Sequence, residues 1–469
     1  MSQAQRRTQD LVIGSGPGGA ITAALLAEAG REVLMVEEGK RLPPDSCEPF
    51  GIEEMRQKYR AGGLNPTLGR PKIALVEGCC VGGGSEINSA LYHRTPDEAL
   101  EMWRDWYAIH DFGPEEMAPH FRYCEEALSV GPTPGAIPGA ACKLMEGAEE
   151  LGWRWMEAPR CFRYEGGVGY RQSMSVTFLP RAGAAGARLE AESRVLLLDR
   201  QHGRWHATLS QGGARTAVEA EAVWVCGGAI ETPALLRRSG IARNVGDSLA
   251  LHPTVKVAAR FSDEINHEGM GVPGHQVREF APRMSLGCSI SSLPYLMLGT
   301  VDYPDERERI RQEWRQMAIY YAMIAGPAVG RVRNLSGDAL VRYRLSRDDL
   351  RALSLGLRRL AKVLFAAGAV ALYPSVSGMP VLRSEDDLAR IPAELPADRT
   401  SVMTVHLFSS CPMGENRALC AADSFGRVHG APDLYVNDAS LLCTAPGVNP
   451  QGSIMAVARR NVLRFLEKR

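Results

Sequence analysis

Two glycine-rich stretches and one pair of neighbouring cysteines are the first places where residue type and spacing could do chemistry. "EGCCVGGGSEIN", Glu77 to Asn88, sets Cys79 and Cys80 ahead of three consecutive glycines. A metal or redox centre needs more thiolates at fixed spacing. The 11 cysteines are scattered, none forms a C-x-x-C pair, and neither a zinc ribbon nor an iron–sulfur cluster is supported. Side chains next to each other in an extended segment face opposite ways. Cys79 and Cys80 are therefore read as reduced packing residues, and no metal is expected. The glycines say more: each loses more chain entropy on folding than other residues do, so something must lie against bare backbone there.

The second stretch, "GSGPGG", shows what that something is. It is preceded by "DLVI", which reads as a short buried strand, and followed by "AITAALLAEAG", which has helical apolar spacing. "EVLMVEEG" then reads as a second strand. Strand, glycine turn, helix and strand form the βαβ dinucleotide pattern, with Gly14, Gly16 and Gly19 at its three glycine positions. Gly14 permits the tight turn, Gly16 lets backbone approach a pyrophosphate, and Gly19 allows close packing of helix on strand. The helix N-terminus offers free N–H groups and partial positive charge to the phosphates. Glu37 ends the second strand, where a carboxylate about 20 residues on accepts ribose hydroxyls. A dinucleotide is expected; the fingerprint alone does not choose NAD over FAD.

The elements that hold these residues are spread along 469 residues, 45% hydrophobic and 23% charged, enough for a sizeable core. Lys plus Arg and Asp plus Glu both total 54, and no basic block marks a nucleic-acid footprint. The Arg-Arg pair of "MSQAQRRTQDLVIG" is followed by only Leu11, Val12 and Ile13 before glycine. That is short of the apolar stretch an export signal needs. No apolar run is long enough to span a bilayer, so a soluble, cytoplasmic protein is expected.

A second α/β block runs from about Ala191 to Ile241, with strands at "SRVLLLDR" and "EAVWVCGG" on either side of a polar hairpin segment. "AIETPALLRRSGI" then starts a helix, with Pro233 near its first turn. A third block has the strand "DLYVNDAS", the loop "LLCTAPGVNPQG" and a helix from about Ser453 to Leu466. The expected fold class is α/β with an α+β second domain. Residues 1–95, 191–255 and 406–469 would build one Rossmann-like sheet domain, interleaved with a second from 96–190 and 256–405.

Side by side, these blocks resemble the glucose–methanol–choline (GMC) flavoprotein oxidoreductases over nearly the whole chain. The resemblance rests on "GSGPGG…VEEG", "GCCVGGGSEIN", "GGAIETPALLRRSGI", "HLFSSCPMG" and "RVHGAPDLYVNDASLLCTAPGVNPQGSIM". Gly84 stands where Ser or Thr is commoner, and Ser409-Ser410 where relatives often show Gly-Thr. The ending "PGVNPQGSIMAVARRN" is similar to the cholesterol-oxidase and long-chain-alcohol-oxidase branch, in which asparagine replaces a second histidine.

The resemblance implies FAD as cofactor, bound by an FAD-binding domain, and a substrate-binding domain on an antiparallel sheet with helices. Gly82 and Gly83 would then pass along the diphosphate, the ribityl chain and the flavin edge, and Asn88 would hydrogen-bond near the ring. Ile87 occupies the position through which some relatives attach FAD by a histidine, so non-covalent FAD is expected. Val195 would meet the adenine with its main chain. Asp438 and Ala439 would lie near the diphosphate and ribityl region, and Pro450 and Gln451 near the pyrimidine side of the ring. His406 matches the family's base and Asn449 its partner. His252 and His429 are read as structural. The activity implied is oxidation of an alcohol CH–OH group to a carbonyl, with oxygen, a quinone or a redox protein taking the electrons. A lyase or light-driven decarboxylase on the same scaffold, and a flavin-binding protein without chemistry, are the alternatives. Segments such as "SLGCSISSLPYLML" and "MAIYYAMIAGPAV" suit a greasy pocket and an ordinary core equally.

Overall fold

Strand Arg6–Ile13 leads through the glycine turn into helix Pro17–Glu28, and strand Val33–Val36 returns parallel beside the first. The protein is described here from a computed structural model covering residues 6–469; residues 1–5, part of the segment read for an export signal, lie outside the described residues. Strand Arg188–Glu190 extends the sheet on one side, and Ala214–Val225 pairs in parallel on the other. Leu434–Val436 runs parallel to the end of that long strand, and Arg204–Gln211 and Ser193–Gln201 add an antiparallel flank. The sheet has seven strands. The polar segment expected as a hairpin contains the strand Arg204–Gln211, in which Trp205, Ala207 and Leu209 are buried in alternation.

Parallel strands buried on both faces read as continuous apolar runs, and the alternation of side chains decides which residue meets which layer. Leu11, Ile13, Val223 and Val225 face one side, with Leu100, Trp103 and Phe121 from the helices Asp97–Tyr107 and Pro114–Ala127. Val12, Ala222 and Trp224 face the other, against Ile21, Phe178 and Met455 of helices Pro17–Glu28, Phe178–Ala184 and Gln451–Leu466. Helices within 97–127 and 178–184, and the strand at 188–190, thus pack with this sheet, although their sequence position suggested the second unit.

The second sheet has eight strands and is mostly antiparallel. Helix Arg347–Ala366 covers one face, placing Leu353, Leu357, Leu360 and Leu364 against Val255, Val257, Tyr320 and Ala322. A capping box starts this helix: the Asp349 N–H donates to Ser346 Oγ at 3.1 Å, and the Ser346 N–H to Asp349 Oδ2 at 2.7 Å. The opposite face carries a transverse row in direct register, Lys256, Tyr321, Gly287 and Gln276, one from each of four neighbouring strands. Among the described residues, no helix is long and apolar enough to cross a membrane.

Candidate active site

The dinucleotide turn and the glycine-rich segment are neighbours. The Ser15 N–H and Oγ both donate to Glu37 Oε2, at 2.9 and 2.7 Å, and the Gly39 N–H donates to Glu37 Oε1 at 2.8 Å. The Gly82 N–H in turn donates to Ser15 Oγ at 3.0 Å, so one hydroxyl joins the two stretches. Burial raises the carboxyl pKa of Glu37, and Oε1, which accepts one bond to the two at Oε2, can still accept a further donor such as a ribose hydroxyl. Burial also pushes the thiol of Cys79 up to about 11 and that of Cys80 higher still, the opposite of a reactive thiolate.

The three fingerprint glycines do different work. Gly14 has φ +99°, and a Cβ there would meet the Cys226 carbonyl; a Cβ on Gly19 would meet the Gly14 carbonyl. Both positions are closed by protein backbone. Gly16 is different: a Cβ there would find only Gly83 Cα, at 3.9 Å, and one on Gly84 nothing within 4 Å. No side chain caps the helix that starts at Pro17. An open groove lined by backbone, an uncapped helix N-terminus and a buried carboxylate at its far end suit the diphosphate and ribose of FAD. Gly14, Gly16, Glu37, Gly82 and Gly83 would hold that part of the cofactor.

His406 follows strand Val402–Thr404 and is buried. Its Nε2 lies 3.2 Å from Asn449 Nδ2, and its Nδ1 lies 3.1 Å from Nδ1 of His252. The Gly447 N–H donates to His252 Nε2 at 3.0 Å, and the Gln276 amide donates to Asn449 Oδ1 and to the Tyr321 hydroxyl, both at 3.2 Å. Burial lowers the His406 pKa to about 4, so its imidazole is neutral at pH 7. His252 is pushed well below the usual range by burial, then by His406 and Arg278.

The remaining sequence-derived residues fall into separate places. Asn88 donates to Gln451 Oε1 at 2.6 Å, tying the glycine segment to the start of the last helix, and its own Oδ1 accepts from the Ala90 N–H. Pro450 is the residue from which that helix starts, also without a side-chain cap. Asp438 accepts from the Gly228 N–H and Thr232 Oγ1 on one oxygen, and from the Ser440 N–H and Oγ on the other. It anchors helix Gly228–Arg238 to the turn Ala439–Leu441. The Ala439 carbonyl accepts from the Ser409 N–H. Val195 is buried in the antiparallel flank of the first sheet, and its carbonyl accepts from Arg238. Ser409, where relatives often carry glycine, has φ +65°, and its Oγ donates to the Cys443 carbonyl at 2.6 Å. His429 bonds the Gly414 carbonyl. His252, also read as structural, touches His406.

Comparison with known proteins places the chain. The two GMC oxidoreductase family patterns match residues 55–254 and 328–458, and the pattern of the NAD(P)-binding Rossmann-like domain matches 12–43. The uncharacterised GMC-type oxidoreductase y4nJ of Sinorhizobium fredii is 39% identical over 98% of this chain and 94% of its own length. Long-chain-alcohol oxidase FAO4B of Arabidopsis thaliana is 27% identical over 96% of this chain and 66% of its own length. In fold, the crystal structure of pyridoxine 4-oxidase from Mesorbium loti superposes with a TM-score of 0.77 at 16% identity, covering 98% of this chain and 99% of that one. The chain belongs to the GMC oxidoreductase family.

Proposed function

We propose that this oxidoreductase binds FAD non-covalently and oxidises an alcohol CH–OH group to a carbonyl, with His406 as the base. The observation that carries the reading is the buried, neutral imidazole of His406 with its Nε2 at 3.2 Å from the Asn449 amide. FAD, held by Gly14, Gly16, Glu37, Gly82 and Gly83, would supply the hydride acceptor. His406 takes the hydroxyl proton, and the Asn449 amide donates to the oxygen as negative charge develops there. Gln276, itself against Tyr321, holds the other end of that amide and so fixes its direction.

For Nε2 to accept a proton, neutral His406 must carry its own on Nδ1 and share it with Nδ1 of His252. His252 then holds its proton on Nε2, and its contact with the Gly447 N–H must open. The two neutral imidazoles can therefore accept at one end of the pair only, from Asn449 at His406 Nε2 or from Gly447 at His252 Nε2.

Anaerobic addition of a panel of alcohols to the yellow protein tests the reading. A substrate alcohol should bleach the flavin and yield one equivalent of carbonyl product; bleaching by none, or product without bleaching, would remove it. Attachment is tested separately. With Ile87 in place of a tethering histidine, acid precipitation should leave all yellow colour in the supernatant as FAD. Colour that stays with the pellet would refute non-covalent binding.

A further inference from the structure

Close to His406 lies a cation that no acid among the described residues answers. Gln276 and Arg278 lie two residues apart on an extended segment, and both reach the loop that bears Asn449. Gln276 donates to the Asn449 side chain, and the Arg278 guanidinium donates to the Gly447 carbonyl at 3.3 Å. Among the described residues, no carboxylate pairs with Arg278, and burial lowers its pKa. His93 completes the picture. It is 7% exposed, neither ring nitrogen makes a well-aligned hydrogen bond, and its pKa falls to about 3 through burial, then Arg278 and His406, with a hydrogen bond to the Gln276 side chain acting the other way.

A half-buried cation without a counter-ion and a buried imidazole with only Gln276 beside it are both costly in a folded protein. They beside one neutral base describe a seat awaiting an anion, since a guanidinium presents a fork of donors that fits a carboxylate edge. We propose that the alcohol oxidised here also carries a carboxylate, seated by Arg278 with His93. The proposal rests on the reading of His406 and Asn449 as the site of alcohol oxidation. It makes Arg278 a specificity-determining residue: it selects hydroxy acids over neutral alcohols and turns the hydroxyl toward His406.

The seat can be tested without turnover. Acetate, propionate and benzoate, none of which can be oxidised as alcohols, are titrated into the FAD-loaded protein and read by the change in flavin absorption; acetamide, propionamide and benzamide serve as neutral matches. The acids should bind and the amides should bind at least about 10-fold more weakly. Arg278→Met should weaken acid binding by about 100-fold, the scale for removing one partner of a buried charge pair. Arg278→Lys should recover part of that loss. Equal binding of acids and amides, or unchanged acid binding in Arg278→Met, would overturn the proposal. Should Arg278→Met fail to fold, the acid-over-amide preference of the parent and the loss in Arg278→Lys decide the matter alone. Methyl phosphate binding more tightly than the carboxylates would also overturn it. Carboxylates that bind while no alcohol bleaches the flavin would leave the seat standing and remove the oxidation reading instead.

Discussion

His406→Ala is expected to take up FAD as the parent chain does and to reduce it with substrate about 10²–10⁴-fold more slowly under anaerobic conditions, the span for a positioned general base. Asn449→Ala should cost roughly 10²–10³-fold, the loss of one donor aimed at developing charge. The two residues act on one oxygen, so the double variant should lose less than the product of the single losses. The pH profile separates a base from a mere neighbour. Burial lowers the His406 pKa from 6.5 to about 4, so the imidazole is ready to accept a proton above that value and protonated below it. The reduction rate should therefore be flat near neutrality and fall as pH drops through about 4, and His406→Ala should lack that fall. A variant that retains both the parent rate and the parent profile would place the base elsewhere.

Gly16→Val is expected to give a folded protein that purifies almost free of flavin. The backbone at Gly16 is extended, with φ −64° and ψ −176°, a conformation open to valine. The nearest protein atom a Cβ would meet is Gly83 Cα at 3.9 Å. The valine thus has room in the protein itself, and the space it fills is the groove assigned to the pyrophosphate. Thermal stability should fall as well, because a ligand that binds only the folded state no longer contributes. Gly19→Ala is the contrast: its Cβ would meet the Gly14 carbonyl, so the loss should appear in folding before cofactor content. Parent-like flavin occupancy in Gly16→Val would refute the groove assignment.

The cofactor end of the molecule was legible in the sequence because its signals are local. Gly14, Gly16 and Gly19 sit within one turn, and Glu37 closes the next strand, so short-range spacing specifies their geometry. His406 and Asn449 were legible only through the family resemblance, as nothing in their own segments announces that they meet. His252 was assigned to structure because a lone histidine before proline carries no such signal. Ser15, Gln276, Tyr321 and Arg278 were missed for a different reason. Their contacts run across strands, and register between distant segments is not written in either segment alone. A trace was present: in "HQVRE", Gln276 and Arg278 stand two residues apart at strand His275–Val277, the spacing that puts side chains on one side of an extended chain. The division into units at 96–190 was drawn from order along the chain, whereas helices such as Pro114–Ala127 are placed by which apolar face they cover.

The Ser15 hydroxyl, shared between Glu37 and the Gly82 N–H, bears on how the cofactor comes and goes. Both walls of the groove are bolted together by protein-only bonds, so they do not wait for a ligand to bring them into register. Entry of FAD then meets a mould already set, and the ordering cost that would weaken the complex is met during folding. Departure requires no dismantling of that bolt either, so the groove keeps its shape between one cofactor and the next.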